Sequence, residues 1–172
     1  MAKLMAFCRW IDRANEFTGK TVAWLVIPLA FIVVLEAIMR YVFDSPTLWA
    51  WDTNMYLGGL MCIFAGGYGL LHSSHVWVDV FVENLSPRRK ALVELLTAPL
   101  FLFAIGVLIW QGTLQARHAV HIREHWTSLW EPAIYPLRVA IPIGASLFFL
   151  QGVSKFIKDL NVLLGTFKEG GN

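Results

Sequence analysis

The segment His121-Ile122-Arg123-Glu124-His125 comes nearest to a catalytic signature. It matches H-x-x-E-H, in which two imidazoles on one helix face hold zinc and the glutamate acts as base. The match is short, and no third ligand lies nearby in sequence; the plainer reading is a polar helix end facing solvent or a partner. The histidines also raise a redox reading, with haem iron held between two imidazoles of a helical membrane anchor. His72 and His75 fall at the end of one apolar run, and His118, His121 and His125 at the far end of the next. A hydrocarbon core about 30 Å thick separates the two groups. One iron cannot join them, so only pairs within a group remain open. No phosphate-cradling glycine loop and no nucleophile elbow is present, and no catalytic residue, cofactor or metal ligand is assigned.

A second cluster is acidic and basic together. Glu36 and Arg40 are four residues apart, in the order that favours an ion pair on one helix face. Asp44 and Asp52 follow within the next dozen residues. Asp52 stands one turn into an apolar run, within reach of Arg40 across a hairpin. The cluster reads either as a pin between two helices or as a contact with another subunit. A proton or ion relay is the third option, but the later apolar runs carry no acidic residue at mid-depth to continue it. Cys8 and Cys62 belong to segments of different depth, which argues against a disulfide.

The elements that must position these residues are membrane helices. Of 172 residues 57% are hydrophobic and 15% charged, against about 45–50% and roughly 25% in soluble domains. The mean hydropathy is +0.58. Eight tryptophans fit interfacial anchoring, because indole joins an apolar body to one N–H donor. A net charge of +2 gives no reason to expect nucleic acid. Four apolar runs approach the roughly 20 residues that a span requires. The first long run starts near Thr21, too late and too long for a signal peptide, and is expected to remain as a helix.

The resulting expectation is a single all-α integral membrane domain over 1–172. It has an N-terminal interfacial amphipathic helix at 1–20 and spans at about 21–43, 46–72, 87–118 and 129–160. A short interfacial segment at 76–85 joins the second span to the third. In the first segment Leu4, Phe7, Cys8, Ile11 and Ala14 follow helical spacing. In 76–85 the residues Val78, Phe81, Val82 and Leu85 do the same, although the alternation of Val76, Val78, Val80 and Val82 also admits a strand. Ser45-Pro46 and Ser86-Pro87 read as helix starts, and Ser128 with Glu131 as a capping box. Pro28, Pro99 and Pro142 fall inside spans, where proline kinks a helix. Gly58, Gly59, Gly66, Gly67 and Gly69 read as a small-residue packing face.

Several short motifs follow one another in order: Arg40-Tyr41-Val42-Phe43, Trp49-Ala50-Trp51-Asp52, Gly66-Gly67-Tyr68-Gly69-Leu70-Leu71, His75-Val76-Trp77-Val78-Asp79, Leu85-Ser86-Pro87-Arg88, Ile141-Pro142-Ile143-Gly144 and Leu150-Gln151-Gly152. Together they resemble the small membrane subunit of tripartite ATP-independent periplasmic (TRAP) transporters, the DctQ-like family. The resemblance implies an accessory, non-enzymatic subunit of a symporter in the bacterial inner membrane. It implies a large permease subunit as constant partner, a periplasmic substrate-binding protein as transient partner, and membrane lipid around both. Structural or interface roles are expected for Glu36, Arg40, Asp52, His75, Asp79, Trp49 and Trp51. A haem-binding four-helix anchor of a redox enzyme is the alternative.

Orientation follows from the cations. Lys3, Arg9, Arg13, Lys20, Arg88, Arg89, Lys90, Lys155, Lys158 and Lys168 fall on one side, and Arg40, Arg117, Arg123 and Arg138 on the other. The positive-inside rule puts the richer side, with both termini, in the cytoplasm. A reporter enzyme that works only in the cytoplasm should therefore be active when fused after Asn172. Activity only for a reporter that works outside would reverse the assignment.

Overall fold

A computed structural model of the chain describes residues 2–72 and 87–163; of residues 2–4, 87–95 and 162–163 only the backbone is described. The described residues form five helices: α1 Ala2–Ala23, α2 Val26–Tyr41, α3 Ala50–Leu71, α4 Pro87–Ile122 and α5 Tyr135–Leu163. No sheet is present among them, and the one isolated bridge pairs His125 with Ala133 in the loop between α4 and α5. Among the described residues four stretches are long and apolar enough to cross a membrane: Met5–Tyr41, Ala50–Leu71, Leu96–Ile122 and Tyr135–Asn161.

The first of these stretches, at 37 residues, would measure about 55 Å as one helix, far more than a bilayer core. Pro28 divides it. A proline ring collides with the carbonyl four residues earlier, here that of Trp24. The backbone turns at Trp24-Leu25, where Trp24 N–H donates to Thr21 O at 3.3 Å and Ile27 N–H to Trp24 O at 3.2 Å. α1 and α2 are thus separate elements. Pro99 and Pro142, by contrast, lie within α4 and α5, which continue through them.

α4 and α5 form the most extensive helix pair, and α3 packs on α5. Phe101 of α4 meets Phe148 of α5 edge-on, with ring centroids 5.1 Å apart. α2 packs principally on α3 and buries only Ile32. Phe31, Val34 and Ile38 of α2 and Leu100, Phe103 and Trp110 of α4 are exposed. In water such surfaces would drive aggregation; in a bilayer they meet chains as apolar as themselves.

Several expected helix boundaries shift. The first span starts at Val26 rather than at 21, after the turn at Trp24-Leu25. α3 starts at Ala50 rather than at residue 46, with no side-chain cap from Trp49, and Ser45-Pro46 lies in the loop before it. α5 starts at Tyr135 rather than at 129. Ser128 and Glu131 do not cap it: the Ser128 hydroxyl bonds Asp52 and Glu131 has a left-handed φ of 47°. α4 runs to Ile122 and ends with Arg123 at φ 47°. There Glu124 N–H reaches Ala119 O at 2.9 Å and Arg123 N–H reaches Val120 O at 3.3 Å, the pattern of a Schellman stop built without glycine.

Close approach of α3 and α5 depends on Gly144, where a Cβ would lie 2.3 Å from Ile63 Cγ2 and 3.0 Å from the Ile63 carbonyl oxygen. Gly69 has open space around it and does not belong to a packing face. Gly144→Val should therefore destabilise the protein by about 1–3 kcal/mol, the usual cost of overpacking, read as a lower thermal midpoint in mild detergent. Gly69→Ala should leave the midpoint unchanged or slightly raised.

Candidate functional site: two polar joints at the ends of the bundle

Polar side chains gather at the two ends of the bundle. At one end α1 lies against the last turns of α3 and the C-terminal half of α5. Its inward face is Cys8, Ile11, Asn15 and Gly19, all buried, at the three- and four-residue spacing of one helix side. Asn15 is the centre. Its Nδ2 donates to Gln151 Oε1 at 2.9 Å, to Ile11 O at 3.1 Å and to Leu147 O at 3.4 Å. Asn15 and Gln151 are each 2% exposed. Gln151 Nε2 passes the chain of bonds on to Asp12 Oδ1 at 2.9 Å. Ser154 Oγ joins the same oxygen at 3.3 Å, and Lys158 Nζ bonds Asp12 Oδ2 at 2.6 Å. Gly67 makes the approach possible, since a Cβ there would sit 2.0 Å from Asn15 Oδ1. The spacing of apolar residues in the first segment points to a membrane-facing helix. The structure instead seats that same side, with Cys8 and Ile11, against the protein, because Asn15 and Gly19 on it meet α3 and α5, and leaves Trp10 and Phe17 outward.

At the other end three joints engage the charges, with Glu124 Oε2 buried and unpaired among the described residues. Glu36 accepts from Arg40 Nη2 at 2.6 Å and Nε at 3.2 Å, and from Thr47 N–H at 3.1 Å and the Thr47 hydroxyl. Its carboxylate thus folds the loop after α2 back on the helix end. Asp52 is 4% exposed and accepts from Ser128 Oγ. Its place in the first turn of α3 also suits the positive end of the helix dipole. Arg138 Nη2 donates to Glu124 Oε1 at 2.7 Å and Nη1 to Gln115 Oε1 at 3.2 Å, joining α5 to the end of α4. Trp126 N–H to Pro132 O and Ile134 N–H to Glu124 O, at 2.9 and 3.0 Å, close the intervening loop.

Glu36 and Arg40 therefore come together, while Asp52 turns to Ser128 instead of Arg40. Trp49 stands at the N-cap of α3 and Trp51 on its exposed side. His75, Asp79 and the 76–85 segment lie outside the described residues. In the H-x-x-E-H segment Glu124 is taken by Arg138, and His121 and His125 are exposed. His72 caps α3, stacked at 4.2 Å on Tyr68, at the opposite end from His118, His121 and His125. Among the described residues no three His, Cys, Asp or Glu side chains group as metal ligands.

Sequence reasoning missed the Asp12–Asn15–Gln151–Lys158 network. Its only advance signal was a buried-side amide on each of two amphipathic segments. Asn15→Ala should cost about 1–3 kcal/mol, because Gln151 is left buried with an unpaired acceptor. Amide exchange should rise along α1, with little change in 100–120. Unchanged exchange in α1 would remove the network from its place as the α1 anchor.

The family model described as "Tripartite ATP-independent periplasmic transporters, DctQ component" matches residues 29–162. A curated relative, the C4-dicarboxylate TRAP transporter small permease protein DctQ of Vibrio cholerae, is 24% identical over 121 residues, covering 68% of this chain. The chain spans about half the length of that relative, 52%.

Proposed function

The chain belongs to the DctQ component family of tripartite ATP-independent periplasmic transporters, and from that premise we propose that it is an accessory scaffold subunit of a solute importer. In this reading it packs against a large permease subunit that carries the transport site, and a periplasmic binding protein delivers the solute. Both termini lie in the cytoplasm. Glu36, Arg40 and Asp52 hold the outer loops in place, and His75 and Asp79 fix the inner turn. Trp49 and Trp51 face lipid or the large subunit.

The observation that carries the scaffold role is where the polar groups end. Each of the buried polar residues Asn15, Asp52, Gln151 and Ser154 bonds inside the chain. A conduit needs polar groups facing a water path, whereas a scaffold needs them consumed in helix joints. The exposed apolar sides of α2 and α4 are what a membrane subunit offers to lipid and to a larger neighbour.

Deleting this chain should abolish solute uptake in cells while the isolated binding protein still binds solute. Restoring the wild-type chain should restore uptake. Uptake at the normal rate without the chain would refute the proposal.

A further inference from the structure

Helix α1 has three sides. Successive residues turn by about 100°, which places Cys8, Ile11, Asn15 and Gly19 on the side against the bundle. Next around the helix come Arg9, Arg13, Glu16 and Lys20, and then Trp10 and Phe17. Trp10 and Phe17 are 65% and 73% exposed. An apolar side that protein does not cover, beside a charged side that is also uncovered, fits a helix lying along a membrane surface.

The depth of α1 is fixed independently. Asn15 seats on Gly67, and Gly19 on Tyr68, where a Cβ would lie 2.4 Å from the ring. Both partners are in the last two turns of α3, which ends at Leu71. α1 therefore lies where a membrane-crossing helix leaves the hydrocarbon. With Trp10 and Phe17 turned to acyl chains, the neighbouring charged side stands at the level of lipid phosphates.

The charges on that side are not equivalent. Glu16 is engaged by Lys20 at 2.6 Å, and Asp12 is engaged by Lys158 at 2.6 Å. Arg9 and Arg13 are exposed and bond no acidic side chain among the described residues. They stand one turn apart, with Cβ atoms roughly 6 Å from each other, close enough for both guanidinium groups to share one phosphate. We propose that Arg9 and Arg13 form a binding site for the headgroup phosphate of anionic phospholipids, with Trp10 and Phe17 seated in the acyl layer beneath. A bilayer supplies anionic and apolar layers in this order by its own construction. A protein partner would have to match both sides of the helix at once. The proposal does not depend on the transporter reading.

The test uses the full-length protein in mild detergent, offered phosphatidylglycerol and phosphatidylcholine in equal amounts, with retained lipid counted by native mass spectrometry. Wild type should retain phosphatidylglycerol preferentially, and salt should weaken the preference. Arg9→Gln/Arg13→Gln should lower it by about fivefold for each arginine removed. Arg117→Gln, an exposed cation at the other end of the bundle, should leave it unchanged, and Arg9→Lys/Arg13→Lys should retain part of it. An excess of inorganic phosphate should not displace the lipid. The proposal is overturned if wild type shows no preference, if the double glutamine variant keeps the full preference, or if free phosphate competes equally.

Discussion

The hydrogen bond between Asn15 and Gln151, 2.9 Å long and buried at both ends, is the contact on which the α1 end of the structure depends. A side-chain bond between membrane helices contributes only about 0.6 kcal/mol on average. An amide left buried without its partner costs about 1–3 kcal/mol. The second figure exceeds the first, so the pair acts mainly by penalising every other arrangement. Rotating α1 by one residue would bring Arg13 or Glu16 toward α5 and leave Gln151 unpaired. Gly67 and Gly19 then admit α1 at the one position where the amides meet.

The same reasoning organises the opposite end, where Asp52 is the counterpart of Asn15. A carboxylate 4% exposed cannot stand without donors, and it takes one from Ser128, in the loop between α4 and α5. That bond ties the α2–α3 hairpin to the α4–α5 hairpin. Glu36 and Arg138 make the corresponding ties within each hairpin. Polar joints thus bracket a middle zone held by apolar packing, with Gly144 against Ile63 and Phe101 against Phe148.

The local features of this arrangement were legible in the sequence, and the distant ones were not. Apolar runs announce spans because length alone decides them. Glu36 with Arg40 was legible because four residues make one helical turn, and Pro28 because its ring must disturb the residue four before it. Asn15 and Gln151 are 136 residues apart, and Asp52 and Ser128 are 76 apart; no periodicity links such pairs. Ser128 shows the limit most plainly. Its spacing to Glu131 satisfies a capping box, yet the buried Asp52 competes for the hydroxyl. The demand of a buried carboxylate exceeds that of one exposed helix N–H, so the helix starts later.

The joints matter most for α2. Lipid chains are as apolar as leucine, so burial against another helix yields little driving force inside a bilayer. α2 buries one side chain, Ile32, and rests mainly on α3. Its attachment therefore comes from its ends. At one end the chain break forced by Pro28 connects it to α1, which the amide network anchors. At the other end Glu36 clasps Thr47 in the loop leading to α3. A helix held at both ends and loosely along its length keeps its position while its exposed side, with Phe31, Val34 and Ile38, is left for lipid or a neighbouring subunit. Strong packing along its whole length would have consumed that side. The distribution of polar joints is thus the physical reason a small four-span chain can be firmly built and still present most of its first span outward.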